Sequence, residues 1–321
     1  MNMTLSSGPH VSVLMTIFNA APYLRESIDS LFAQTFSDWE LIAIENGSTD
    51  QSLSILRKYS DPRVRTFLFQ KNIGRTPALR YAFSQARGEY VAVLDADDIS
   101  HPPRLERQSS FLDKHPEVAL VGSWVKYIDE KSSVIAKWKP PVDPVALRDS
   151  LGWTNPMVHS SVMYRRLRAL EAGGYPEHVI YSQDFGLIIE LARRSSLAII
   201  DDFLCDMRVV STSMTRDKKY SSVFGGEALA HFEHAAQTLP LSSKARRLNR
   251  RVRSISRIEH GIGTMRTGSI PEGVKSVLRG VFSDPTVLWA NGTVYRFAQR
   301  HFPRLACILR GKVIQGFVEY V

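Results

Sequence analysis

The chain has 321 residues, 44% of them hydrophobic and 23% charged, proportions that exclude a collagen-like, mucin-like or wholly disordered polymer. That length allows roughly two domains. The formal charge of +9 is unevenly placed: residues 1–224 hold 26 basic and 26 acidic side chains, whereas residues 225–321 hold 15 basic and 6 acidic. A neutral module followed by a basic segment implies an anionic partner for that segment. A membrane surface is favoured and a nucleic acid is not expected, because no nucleic-acid-binding module accompanies the charge. Two cysteines, Cys205 and Cys307, show no CxxC or Cys/His spacing, which argues against a disulfide framework or a thiolate zinc site. No apolar run reaches the roughly 18 residues needed to cross a bilayer, and the early run 11–18 lacks a positive flank and a cleavage site. A cytoplasmic protein is expected, peripheral on the inner face of the cell membrane at most.

In chain order, Val11–Ile17 reads as a buried strand, and Pro22 and Tyr23 open a helix whose Leu24, Ile28, Leu31 and Phe32 form one apolar stripe. Residues 39–44 form the next strand, which runs into Glu45-Asn46-Gly-Ser-Thr-Asp. Ser48 or Thr49 is expected to cap the short helix that follows. Val64–Phe69 is a strand, 76–86 a helix, and 90–94 a strand leading directly into Asp95-Ala96-Asp97-Asp98. Beyond these, Arg104–Lys114 reads as a helix, Val118–Ile128 as a strand, 157–164 as a strand and 184–194 as a helix. From Glu227 the pattern is helical and Arg-rich. The alternation predicts an α/β fold with a mostly parallel central sheet flanked by helices. The boundary is placed near residues 215–225, giving a domain over 1–220 and a basic helical extension over 221–321.

Ligands of such sheets bind at the carboxyl ends of the strands. Asp95, Asp97 and Asp98 stand at one of these ends, where three carboxylates repel unless a cation sits among them. An all-oxygen set suits Mg²⁺ or Mn²⁺ shared with substrate phosphates; the alternative is a solvated, acidic helix start. Thr16, Phe18 and Asn19 close the first strand and Glu45 and Asn46 the second. There a ring beside an amide could stack on a nucleobase and pair with its edge, the alternative being turn chemistry.

Four stretches, VSVLMTIFNAAPYLRESIDSLFAQTFSDWELIAIENGSTD, GEYVAVLDADD, NPMVHSSVMYRR and GGYPEHVIYSQDFGLIIELARR, together resemble family 2 glycosyltransferases of the GT-A fold, over roughly residues 9–210. The resemblance implies an inverting, Mn²⁺- or Mg²⁺-dependent transferase. It would take a sugar from a nucleotide-diphosphate donor, UDP-hexose on family frequency, to a hydroxyl of a glycan or lipid-linked glycan in bacterial cell-surface polysaccharide synthesis. It further implies that Thr16, Phe18, Glu45 and Asn46 border the nucleobase, that Asp95 to Asp98 hold ribose and metal, and that Asp184 takes the position of general base. Which of Asp97 and Asp98 is the metal ligand is ambiguous by one residue. Where many relatives carry Asp, Asn46 offers both a donor and an acceptor.

Arg75 and Arg80 are candidates for the diphosphate, as is Arg208 after the last strand. Trp153, His159, Tyr181 and Gln183 are weaker candidates for donor or acceptor contact; a hydrogen-bonded structural histidine is the alternative for His159. In the basic extension, Arg246, Arg250, Arg253 and Arg257 fall on one helix face, a candidate membrane-facing row whose alternative is a solvated face. Two other functions compete: a non-catalytic nucleotide-sugar-binding scaffold, against which intact Asp97, Asp98 and Asp184 argue, and a nucleotidyltransferase, which lacks a Gly-rich, Lys-containing phosphate loop here.

Overall fold

The computed structural model describes residues 8–210, 221–284 and 318–320. Cys307 lies outside them, as does most of the expected boundary region. Two compact units emerge, one drawn from residues 1–147, 155–210 and 318–321, the other from 148–154 and 211–317.

The first unit is an α/β sheet. Strands β1 (Val11–Ile17), β2 (Trp39–Asn46), β3 (Val64–Phe69) and β4 (Tyr90–Val93) run parallel in the spatial order β3-β2-β1-β4. Helices α1 (Leu24–Phe32), α2 (Ser52–Leu56) and α3 (Arg75–Gln85) connect them. Burial runs through β1 and β2 without alternation because helices cover both faces of a parallel sheet. Val11, Val13, Met15 and Ile17 join Leu24, Ile28 and Leu31 of α1 in one core, and the intervening Leu14 is equally buried. The remaining half of the sheet is mixed. Strand β8 (Met163–Arg165) is antiparallel to both β4 and β6 (Val118–Ile128), β9 (Ser196–Arg208) is parallel to β6, and β7 (Val134–Trp138) is antiparallel to β6. Short β5 (Ile99–Ser100) pairs with β9, and β10 (Val318–Tyr320) pairs with β7. Helices α4 (Arg104–Lys114), α5 (Pro144–Ser150), α6 (Arg166–Glu171) and α7 (Gln183–Arg194) complete the chain to this point.

Two local expectations fail for physical reasons. Ser48 and Thr49 do not cap α2, whose first flanking residue is Gln51 with no side-chain cap; both are engaged with the loop after β1. The strand expected over 157–164 is a 3₁₀ turn at His159–Ser161 followed by β8. His159, Ser160 and Ser161 are all buried, and three consecutive inward polar residues cannot alternate across a strand.

The second unit carries α8 (Ser221–Thr238), α9 (Ser243–Arg266) and α10 (Ile270–Ser283). Ser242 caps α9 by accepting the Ala245 N–H at 3.2 Å. The expected row of free arginines on α9 is broken. Arg253 and Arg257 both bond Glu233 of α8, at 3.3 and 2.6 Å, and Arg246 donates to the Leu241 carbonyl at 3.0 Å. Arg250 remains exposed.

Candidate active site

The loops after β1 and β2 are bound together by short polar side chains. Asn19, at φ 52°, accepts the Thr49 N–H at 2.8 Å, and its own N–H donates to Ser48 Oγ at 3.1 Å. The N–H groups of Ala20 and Ala21 donate to Ser52 Oγ and Asp50 Oδ2, at 2.9 and 3.0 Å. Glu45 folds back on its own turn, accepting the Ser48 and Gly47 N–H groups at 2.7 and 3.2 Å. Gly47 has φ 73°, and a Cβ there would lie 2.4 Å from the Lys71 carbonyl carbon, so only glycine lets the loops after β2 and β3 approach this closely. Asn46 differs from the expectation. Its amide, expected to face a nucleobase, donates to Asn72 Oδ1 (3.1 Å) and the Gly74 carbonyl (3.3 Å) and accepts the Ile73 N–H (3.0 Å). It thereby fixes the turn from which α3 starts. Phe18, 46% exposed, keeps its ring in solvent beside this framework, with Thr16 half-buried before it.

Asp95 to Asp98 follow β4, and each has a different environment. The Asp95 N–H donates to Ser160 Oγ at 3.1 Å, its carbonyl accepts Ser27 Oγ at 3.0 Å, and its carboxylate is gripped by Arg75 Nη2 at 2.8 and 2.7 Å. Burial pushes the Asp95 acid up, but the Arg75 guanidinium outweighs burial and holds it below the usual carboxylate range. Ala96 is buried between the acids. No side chain pairs with Asp97 among the described residues; burial and the neighbouring Asp95 raise it to about 6. Asp98 is fully buried and accepts the Arg208 N–H at 2.8 Å, and burial together with Asp97 and Asp95 pushes its acid well up.

These environments bear on a divalent cation. Among the described residues no group of three or more His, Cys, Asp or Glu forms a cage, so a metal here would take most of its ligands from water and substrate. An oxygen-only site with one unpaired carboxylate, Asp97, beside a second acid fits Mg²⁺ or Mn²⁺ held in that way. The buried, amide-bonded Asp98 fits less well.

Arg75, at the start of α3, gathers the other groups. Its Nη2 lies 3.5 Å from His159 Nδ1; with the Gln183 amide oriented to satisfy its neighbours, its oxygen accepts from Arg75 Nε at 3.1 Å and its nitrogen donates to the Tyr181 carbonyl at 2.8 Å. Because a guanidinium only donates, His159 Nδ1 is the acceptor and Nε2 carries the proton toward Tyr175 Oη at 3.0 Å. Tyr175 in turn meets Tyr164 Oη at 3.1 Å. Burial pushes the His159 imidazolium down, keeping the ring neutral despite the nearby acids Asp184 and Asp95. Asp184, in the first turn of α7, accepts the Asn155 side-chain N–H at 2.9 Å. Burial opposes the charge of Arg75, but Asp95, Asp184 and Asp97 all act on it and keep it protonated. Asp95 at the end of β4 thus binds this guanidinium directly, and Asp97 and Asp184 act on its charge.

Other candidates are placed elsewhere. Arg80 is occupied by the Tyr175 carbonyl (2.5 Å) and Glu177 (2.9 Å); with Thr76 Oγ1 donating to the Val179 carbonyl at 2.6 Å, it anchors the loop before α7. Arg208, also a candidate for the diphosphate, is engaged within the protein. It is buried and donates to the carbonyls of Asp97 and Asp129 (both 3.0 Å), Ser132 Oγ (3.0 Å) and Glu26 (2.6 Å). Trp153 belongs to the second unit. Ser160, Asn155 and Tyr175 were missed as positioning groups. Asn155 and Ser160 sit inside a recognisable motif, but nothing in the residue pattern distinguishes a buried hydroxyl that holds a backbone amide from one that faces solvent.

The model of the glycosyl transferase family 2 matches residues 12–174. An uncharacterized glycosyltransferase of Methanocaldococcus jannaschii is 32% identical over 212 residues, covering 63% of this chain and 71% of its own. The amylovoran biosynthesis glycosyltransferase AmsE of Erwinia amylovora is 28% identical over 218 residues, covering 66% and 81%. Among solved structures, Staphylococcus aureus TarS in complex with UDP-GlcNAc superposes with a TM-score of 0.62 at 16% identity, over 85% of this chain and 81% of that one. The mannosyltransferase PcManGT of Pyrobaculum calidifontis, in complex with GDP-Man and Mn²⁺, does so with 0.58 at 18%, over 95% and 86%. These likenesses show a GT-A-like fold.

Proposed function

The chain belongs to glycosyltransferase family 2, and from that premise we propose that it moves a hexose from a UDP-sugar to a hydroxyl of a glycan or lipid-linked glycan, with inversion, in cell-surface polysaccharide synthesis. The UDP-GlcNAc complex of TarS supports the donor class, and the amylovoran role of AmsE supports the pathway class. The observation that carries the reading is Arg75 bound to Asp95 at 2.8 and 2.7 Å, with Asp97 and Asp184 near enough to act on its charge: a phosphate-compatible cation beside carboxylates from the end of β4 and the start of α7.

Inversion in one displacement needs a base for the acceptor proton and stabilisation of the departing diphosphate on the opposite side of the anomeric carbon. Asp184 is the base. Asn155 holds its Oδ2, which leaves Oδ1 to take the acceptor proton. Arg75 stands where it can neutralise developing negative charge, with Asp95, His159 and Gln183 restraining its orientation. Phe18 offers a ring to the nucleobase, while Glu45 and Asn46 shape the loop beside it. Asp97, with Asp95 adjacent, would hold Mn²⁺ or Mg²⁺, which supplies Lewis-acid stabilisation of the diphosphate when bound. No described helix is long and apolar enough to cross a membrane, and we place the protein in the cytoplasm, peripheral on the inner face of the cell membrane.

A panel of nucleotide sugars incubated with the full chain and Mn²⁺, scored for free nucleoside diphosphate, tests the function. Diphosphate release with a UDP-hexose is expected. With pyrophosphate added, formation of nucleoside triphosphate and sugar 1-phosphate in place of nucleoside diphosphate would mark a nucleotidyltransferase, and donor binding without turnover of any sugar would mark a scaffold; either result contradicts the proposal.

A further inference from the structure

We propose that the outer face of α10 is an interfacial surface that seats the protein on an anionic lipid bilayer. The inner face of this helix is fixed against α9: a Cβ on Gly273 would lie 2.5 Å from the Gly261 carbonyl oxygen, and Val277 and Val281 pack on the small core around Ile258 and Ile262. The helix therefore cannot roll to hide its other side. There, Ile270, Val274, Leu278 and Phe282 follow one another at four-residue steps and are 61%, 43%, 49% and 79% exposed. Lys275 and Arg279 border the stripe and are exposed as well. The one acid of α10, Glu272, lies in the first turn and accepts Ser269 Oγ at 2.9 Å. At the far end, Arg257 of α9 donates to Ser283 Oγ at 3.3 Å, so the Phe282 end of the stripe meets the arginine-rich part of α9.

Charge decides the occupant. An apolar stripe edged by cations matches a leaflet that offers acyl chains below and anionic headgroups above. A second copy of the chain would set Lys275 and Arg279 against the same cations with no acid on the stripe to receive them. Four side chains also fall far short of the about 800 Å² per partner of a stable dimer. The surface differs from the arginine row anticipated on α9, two of whose members are tied to Glu233. Its value for catalysis rests on the proposed lipid-linked acceptor, but its binding to lipid does not.

Flotation of the full chain with phosphatidylcholine vesicles, with or without phosphatidylglycerol, tests the surface without any sugar substrate. Wild type is expected to float with phosphatidylglycerol vesicles, at least ~tenfold less with phosphatidylcholine alone, and to be released by salt. Leu278→Gln/Phe282→Gln should lower the bound fraction at least ~tenfold, and Lys275→Glu/Arg279→Glu should abolish the preference for the anionic lipid. Both variants should retain wild-type circular dichroism and nucleoside diphosphate release in solution. The proposal is overturned if wild type does not float with anionic vesicles, if Leu278→Gln/Phe282→Gln floats as wild type does, or if light scattering shows a wild-type dimer that this variant converts to monomer.

Discussion

The two sides of the 95–98 loop use the same residue types to opposite ends. On one side Arg75 binds Asp95 while Asp97 and Asp184 act on its charge, and Asp97 has no side-chain partner among the described residues, which on the proposed reading leaves charge and lone pairs for a substrate. On the other side Arg208 donates to four oxygens and its backbone N–H bonds Asp98, so every group is satisfied inside the protein. A guanidinium beside acids is therefore not by itself a phosphate site. Incomplete satisfaction near solvent separates the working side from the supporting side.

Substitutions should break this symmetry in different observables. The largest stability change is expected from Arg208→Met, which strips donors from the part-buried carbonyls of Asp97 and Asp129. Unfolding in denaturant should show a loss of roughly 2–4 kcal/mol, and a loss under about 1 kcal/mol would mean that the clamp is not structural. Arg75→Lys keeps the charge but loses the fork that engages Asp95 and Gln183 together. It should lower kcat/KM for the donor at least ~tenfold with stability changed by less than about 1 kcal/mol. The smallest effect concerns pH. Burial lowers the His159 pKa below its unfolded value, so between the two the unfolded chain binds more protons and stability is lost as pH falls from 7 toward 5. His159→Gln should remove that contribution, at most about 1.4 kcal/mol per pH unit for one proton. Identical pH slopes in wild type and variant would show that His159 does not contribute.

Regular elements were legible wherever apolar spacing encodes burial. Arg104–Lys114 and Val118–Ile128 have the same bounds in sequence and structure, and the strand leading to Asp95 lies where its apolar run ends. Polar destinations were less legible. Arg80 and Arg208 have the composition of phosphate ligands, and their occupation by Tyr175, Glu177, Asp129 and Glu26 depends on contacts from 79 to 182 residues away in sequence. Asn46 is a similar case: an amide at a strand end can face a base or a neighbouring turn, and its partners at 72–74 decide between them.

The proposal that Asp184 deprotonates the acceptor is tested most directly by Asp184→Asn, with donor affinity measured by calorimetry and turnover by nucleoside diphosphate release from the same UDP-sugar. The account predicts affinity within about threefold of wild type and release lowered by roughly 10²–10⁴-fold, the range supplied by general-base catalysis. Release within about tenfold of wild type would contradict it.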